Sequence, residues 1–400
     1  MMINSRSNKH IGAGSLSPRP ISNGMRKKPS KPVKARTTGK SPKRVLITGA
    51  AGFVGHHLLE HVLKNTDWNI TALERLDTSG NLNRLPGINV WAKEKHRVRV
   101  VFHDLKAEIN DSVGRMLGGP FDYIIHLAAG SHVDRSIEDP LLFFQDNCIG
   151  TVNLLNYARK GGLRPNKKFK PGSSDRAFEG KFQFFSTDEV YGPAPDHVSY
   201  KEWDRHNPNN PYAASKSAAE QACIAYAHTY RMPIFVTNCM NIFGERQNRE
   251  KFIPLVIRKV LSGDMLHIHA NRQRTLAGKR HYLHARNISA ATVWLLQNGK
   301  VLDSEATEGK YNVVGEVEID NLALAKLVTK YVNEYLAAKG RKQKKLKYEL
   351  VGFHESRPGH DLRYALDGSV LAKEGYSFPI AFNESLRKVV RWTMDHPEWL

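Results

Sequence analysis

From Lys43 onward the chain alternates short apolar runs with longer amphipathic stretches. The runs RVLIT (44–48), NITAL (69–73), VRVVF (98–102), YIIHL (123–127), FQFFS (182–186) and IFVTN (234–238) are rich in branched and aromatic residues. Their length and composition predict buried strands. Between them, FVGHHLLEHVLKN (53–65) and PYAASKSAAEQACIAYAHTYR (211–231) have helical length and pattern. Such alternation predicts an α/β fold built on a doubly wound parallel sheet with helices on both faces. Past about residue 241 the regular alternation stops. Helical stretches such as NLALAKLVTKYVNEYLAAKG (321–340) then mix with short strands and Pro/Gly-containing loops, which predicts a smaller mixed α/β C-terminal lobe. The expected division is a sheet domain over 44–240 and a substrate lobe over 241–400, with the two interleaved. The segment 160–181 reads as an enlarged surface loop, and no internal repeat is present.

Composition fits a soluble globular protein, with 40% apolar and 25% charged residues among 400. No run approaches the roughly 18 apolar residues needed to span a bilayer. The formal net charge is +21, but residues 1–43 hold seven lysines, four arginines and no acid, and so contribute +11. That stretch is rich in Ser, Pro, Gly and Lys without apolar periodicity, which predicts a disordered basic arm. Contact with nucleic acid or an anionic membrane, an organellar address, and a plain solvated tail all remain open for it. The remaining +10 suits an anionic substrate. Cys148, Cys223 and Cys239 lack metal-ligand or disulfide-framework spacing; they read as core residues of a reducing, cytoplasmic compartment, and no metal site is expected.

Chemistry enters at RVLITGAAGFVGHHLLEHV, a strand, a glycine turn and a helix start in that order. Gly49, Gly52 and Gly55 give the tight turn, the close approach to a pyrophosphate and the helix–strand packing that a Rossmann-type dinucleotide site requires. The pyrophosphate would sit at the helix N-terminus. Glu74, at the end of the second run, is placed for the ribose hydroxyls and favours NAD over NADP; Arg75 beside it could soften that exclusion. Asp104, after the third run, is placed for the adenine side or for a helix cap.

A second constellation lies in NNPYAASKSAAE. Asn210 can cap a helix, Pro211 fits its first turn, and Tyr212 and Lys216 share one face. An ammonium near the phenol would lower its pKa and make it a base. Upstream, FFSTDEVYG (184–192) ends an apolar run with Thr187 and two adjacent acids, Asp188 and Glu189. Both acids can face one crevice only if the strand ends there, since strand neighbours point to opposite faces.

These motifs, with HLAAGSHVDRSIEDP, NIFGERQNREKFIPL, YNVVG and SRPGHDLRYALD, resemble the extended short-chain dehydrogenase/reductases, and within them the nucleoside-diphosphate-glucose 4,6-dehydratases, from about residue 43 to the C-terminus. The resemblance implies an NAD-dependent hydro-lyase, a homodimer, and a nucleoside-diphosphate sugar as substrate, dTDP-glucose first. It implies Tyr212 with Lys216 as the base for the sugar O4, Thr187 near O4, Glu189 as base at C5 and Asp188 as acid at the C6 hydroxyl. It places NAD against Gly49, Gly52, Phe53, Val54, Gly55, Glu74, Asp104, Leu105, Leu127, Ala128, Ala129, Tyr212 and Lys216. The sugar nucleotide falls to Ser131, His132, Thr187, Asn241, Lys251, Arg280, Asn312, Arg357 and His360.

Three positions depart from the family pattern: Gly130 where an acid is usual, His281 where Asp is usual, and Asp146 where Thr is common. Two rival functions stay open. A nucleotide-sugar epimerase or decarboxylase on the same fold needs Tyr212 and Lys216 but leaves the acid pair unexplained. A non-catalytic NAD-binding protein leaves the whole constellation unexplained.

Overall fold

The computed structural model describes residues 41–400 apart from 76, 78–79, 174, 304, 306 and 354–360. Nearly all of the basic arm, and Arg357 and His360, lie outside the described residues. The six predicted strands form within one residue of the expected ends: β1 (Arg44–Thr48), β2 (Asn69–Glu74), β3 (Val98–Phe102), β4 (Tyr123–His126), β5 (Lys181–Thr187) and β6 (Ile234–Cys239). Further along come β7 (Asn241–Phe243), β8 (Met265–Ala270), β9 (Lys279–His284), β10 (Lys310–Val313), β11 (Glu318–Asp320) and β12 (Lys347–Gly352). The principal helices are α1 (Phe53–Asn65), α2 (Pro211–Tyr230), α3 (Phe252–Ser262), α4 (Ala285–Asn298), α5 (Asn321–Ala338) and α6 (Phe382–Asp395). None among the described residues is long and apolar enough to cross a membrane.

The main sheet runs β10-β6-β5-β4-β1-β2-β3, with every neighbouring pair parallel. Strand order reverses between β1 and β4, so a crevice opens at their carboxyl ends, the usual ligand position in such sheets. Side-chain alternation along β1 splits the core into two layers. Val45 and Ile47 pack with Leu58, Leu59 and Val62 of α1 and with Ile288, Leu295 and Leu296 of α4. Leu46 faces the other way, into a layer with Phe182, Phe184, Val236 and Ala219 and Cys223 of α2.

Past residue 240 the chain returns to the main sheet before it completes the smaller lobe. The seventh strand, β10, and the covering helix α4 both come from beyond that residue. Little in LysTyrAsnVal announces a strand, because β10 is a four-residue edge that gains its ladder only by pairing with β6. The smaller lobe holds the β11-β9-β7 and β12-β8 sheets, and its core joins Val256 and Ile257 of α3, Leu324 and Val328 of α5, and Leu386 and Val390 of α6. Helical backbone stops before Gly161, which adopts φ +126°; a bridge between Pro165 and Phe178 closes the loop that follows on itself.

One buried polar cluster underpins the sheet near the crevice. Lys310 Nζ lies 2.7 Å from Glu220 Oε1, with both side chains almost wholly buried. Asn238 Nδ2 donates to Glu220 Oε2 (3.0 Å) and to the Thr187 carbonyl (3.3 Å). Burial alone would raise the Glu220 carboxyl, but Lys310 and then His206 outweigh it and hold the group well below the usual carboxylate range. Removing one partner strands a buried charge, which typically costs about 3–5 kcal/mol. Lys310→Met should therefore lower the free energy of unfolding by about that much, and Lys310→Met/Glu220→Leu should recover most of it. Equal denaturant midpoints for wild type and the single variant would remove the pair from the fold's stability.

Candidate active site

The crevice starts at the glycine turn. Gly49 adopts φ +73°, in the left-handed region, and its N–H donates to the Leu73 carbonyl at 2.9 Å. A Cβ at Gly55 would stand 2.0 Å from the Gly49 carbonyl, so α1 can leave the turn this tightly only with glycine there. Among the described residues no side chain caps α1, which leaves its first-turn amides for an anion. Gly49, Gly52, Phe53, Val54 and Gly55 line a cavity of about 690 Å³ that runs on to the acid pair. A connected side cavity of about 110 Å³ is lined by Glu74, Asp104, Leu105, Leu127, Ala128 and Ala129. Every residue expected to touch the cofactor thus borders one of the two spaces. These residues fit NAD: an uncapped helix start for the pyrophosphate, and an acid-lined recess for the adenosine.

Glu74 is more tied down than expected. Its Oε1 accepts from the Ala51 N–H of the glycine turn (2.8 Å), and burial pushes its carboxyl up to about 7 against the pull of that amide. Sequence could not foresee the contact, because it depends on the glycine turn folding back onto the end of β2, 23 residues further along the chain.

β5 ends at Thr187, and residues 188–191 close into a single 3₁₀ turn. Pleated alternation stops there. Asp188 and Glu189 both line the main cavity, together with Thr187, Tyr212 and Lys216. The Thr187 hydroxyl donates to Asp188 Oδ1 (3.0 Å), while Asp188 Oδ2 is buried without a hydrogen-bond partner among the described residues. Burial pushes Asp188 up to about 6. Burial and then the Asp188 charge push Glu189 up to about 7. Asn210 caps α2 through Oδ1, bonded by the Ala213 N–H, and its Nδ2 donates to Glu189 Oε2 at 3.0 Å. The sequence marks the cap, and the spare amide group of an Asn cap is the further signal it carries.

Tyr212 lies in the first turn of α2 and is anchored by its N–H to Ser136 Oγ (3.1 Å). Its ring meets Phe143 edge-on at 6.4 Å. The expected Lys216 assistance takes a different form. Lys216 Nζ donates to the Phe185 carbonyl at 2.6 Å, and burial lowers the amine to about 8. Burial first and the Glu189 charge second raise the Tyr212 phenol well above its ordinary value, with Thr187 opposing them. The protein's own groups therefore do not hold Tyr212 as a phenolate.

The residues expected to bind the sugar nucleotide divide. Ser131, His132, Asn241 and Lys251 line the cavity. Asn312 lies apart from it: fully buried, its Nδ2 donates to the Tyr200 and Asp367 carbonyls, so it fastens two loops. Arg280 is 7% exposed and does not line the cavity; its guanidinium serves the Asp361 and Leu362 carbonyls and stacks on Tyr364. From there it lowers both acids by charge alone. Arg135, Phe185, Cys239, Gln247 and Tyr282 also line the cavity; the first two and Gln247 stand inside the quoted motifs without a role of their own there, and Cys239 and Tyr282 stand in no motif.

The departures have structural explanations. A Cβ at Gly130 would sit 3.0 Å from the Phe143 ring, which fills the place of the missing side chain. His281 Nδ1 pairs with the Gly315 carbonyl at 2.9 Å. Asp146 grips Arg75 across the cofactor recess.

Residues 46–389 match the profile of the GDP-mannose 4,6 dehydratase family. The chain belongs to that family. It is 33% identical to the dTDP-glucose 4,6-dehydratase of Escherichia coli, over 89% of this chain and 95% of the relative. It is also 33% identical to the dTDP-glucose 4,6-dehydratase of Neisseria gonorrhoeae, over 90% and 98%. The solved dTDP-glucose 4,6-dehydratase DesIV from Streptomyces venezuelae, with NAD and TYD bound, superposes with a TM-score of 0.72 at 30% identity, over 89% of this chain and 98% of the other. The protein is thus an extended short-chain dehydrogenase/reductase, a hydro-lyase of the dTDP-glucose 4,6-dehydratase type, and NAD is its cofactor.

Proposed function

We propose that this family member removes water from a nucleoside-diphosphate glucose, dTDP-glucose before UDP- or CDP-glucose, leaving the 4-keto-6-deoxy sugar. The observation that supports this reading best is the single 3₁₀ turn that presents Asp188 and Glu189 to the cavity shared with Tyr212. An epimerase or decarboxylase has no task for two adjacent cavity-lining acids with raised pKa values.

In this reading Tyr212 accepts the O4 proton, and Thr187 orients the hydroxyl. NAD, when bound, supplies the hydride acceptor for C4, the hydride later returned to C6, and a positive ring that favours the phenolate. The 4-ketone acidifies C5–H, and Glu189 removes that proton. Asp188 donates to the C6 oxygen, so the C6–O bond breaks and water leaves. Glu189 then returns its proton to C5. Lys251, with Ser131, His132 and Asn241, faces the diphosphate end of the cavity, where a cation favours an anion.

Incubation with dTDP-, UDP- and CDP-glucose should yield, for at least one, a product lighter by one water. Unchanged substrate in all three, with bound NAD confirmed by extraction, would refute the reading. A homodimer belongs to the same proposal. Leu141, Phe144 and Ile149, exposed on the helical segments beside α2, offer an apolar surface that a second copy would cover; light scattering at micromolar concentration should give twice the chain mass.

A further inference from the structure

Arg75 follows the acid that ends β2, a position from which a guanidinium can receive a 2′-phosphate and admit NADP. Its side chain is committed elsewhere. Nη1 and Nη2 donate to Asp146 Oδ1 and Oδ2 at 2.6 and 2.9 Å, a two-pronged pairing that uses the planar fork fully. Nε donates to Asp77 Oδ2 (2.9 Å), and Nη1 stands 3.5 Å from Asp104 Oδ1. The Asp146 side chain is only 8% exposed, so the pair is poorly screened by solvent. Lys106, the other cation of the recess, is drawn to the same acids, 3.5 Å from Asp104 and 4.0 Å from Asp146.

The recess beside the glycine turn is therefore lined by four carboxylates, Glu74, Asp77, Asp104 and Asp146, against Arg75 and Lys106. Glu74 alone is a weak guard. Its carboxylate is bonded to the glycine turn, and burial leaves it only partly ionised near neutral pH. Asp146 grips Arg75, the guanidinium that among the described residues of the recess could greet a phosphate. It stands 71 residues from Arg75, on a helical segment opposite β2.

We propose that Asp146 is a cofactor-selectivity residue: by forking onto Arg75 it withholds that guanidinium from a 2′-phosphate and restricts the recess to NAD. The inference concerns the adenosine end alone and does not depend on which sugar nucleotide is turned over.

Dissociation constants for NAD⁺ and NADP⁺, measured by calorimetry on dinucleotide-stripped protein, test it directly. Asp146→Asn keeps the shape and removes the charge; Asp146→Thr removes the fork. Each should tighten NADP⁺ at least tenfold while NAD⁺ changes less than threefold. Adding Arg75→Met to either variant should abolish the gain. An unchanged NADP⁺/NAD⁺ ratio in both variants, or a gain that survives without Arg75, would overturn the proposal. A further arm needs no variant: wild-type protein should bind adenosine 2′,5′-bisphosphate at least tenfold more weakly than AMP, and equal affinity would overturn the proposal even if the variants failed to fold. Dinucleotide released by heating the purified protein should be NAD from wild type and should include NADP from Asp146→Thr.

Discussion

Tyr212→Phe is expected to lower turnover of the sugar nucleotide by about 10²–10⁴-fold, the range for losing a positioned acid–base group. The substitution keeps the ring and its edge contact with Phe143, and the backbone anchor to Ser136 does not involve the phenol. Folding should therefore survive, and the loss falls on chemistry. The proton on O4 would have no acceptor beside Thr187, because Lys216 is spent on the Phe185 carbonyl. Stopped-flow absorbance of the reduced nicotinamide should show no enzyme-bound NADH after substrate is added to the variant. Normal NADH formation would take Tyr212 out of the oxidation step.

The acid pair supports the second large effect, because its two members should fail at different points. Glu189→Gln should suppress exchange of the C5 hydrogen with deuterated solvent and lower product formation by about 10²–10⁴-fold. Asp188→Asn should still permit that exchange and NADH formation, while loss of water slows about a hundredfold or more. Identical behaviour of the two variants would refute the division of labour. The pH profile follows from the same pair. Burial raises both carboxyls, Asp188 to about 6 and Glu189 to about 7, and each charge resists the other. Elimination needs a proton on Asp188 for O6 and an ionised Glu189 for C5; with Glu189 the weaker acid this is the minor form of the singly protonated pair, and it is most populated between the two ionisations. Below both ionisations Glu189 is protonated and cannot act as base. Above both, Asp188 has no proton to give. Turnover should therefore be bell-shaped around slightly acidic to neutral pH, and Asp188→Asn should lose the alkaline limb at its lower rate.

Much of this was readable in short windows of sequence. Strand and helix periods, the GxxGxxG turn and the Tyr-x-x-x-Lys spacing are local, because each depends on residues within a turn or a strand of one another. What escaped notice was set by pairing at long range. β10 is a strand because β6 offers it a ladder. Asn312 is structural because two distant loops pass beside it. Arg280 acts on the acids through space from behind the Asp361 backbone, which no spacing rule encodes.

The amino-acid sequence by itself determined the class of sheet, the site of the dinucleotide and the group of residues, Thr187, Asp188, Glu189, Tyr212 and Lys216, on which the chemistry is proposed to rest. Only the tertiary structure decided their arrangement. It stopped the pleat of β5 at Thr187, so a 3₁₀ turn could aim both acids at one cavity. It turned Lys216 to a carbonyl and brought Asp146 onto Arg75 across 71 residues of chain. The physical reason is the same in each case. Residue type and period state what a segment can bury or bond, whereas burial and charge pairing depend on which distant segment packs against it.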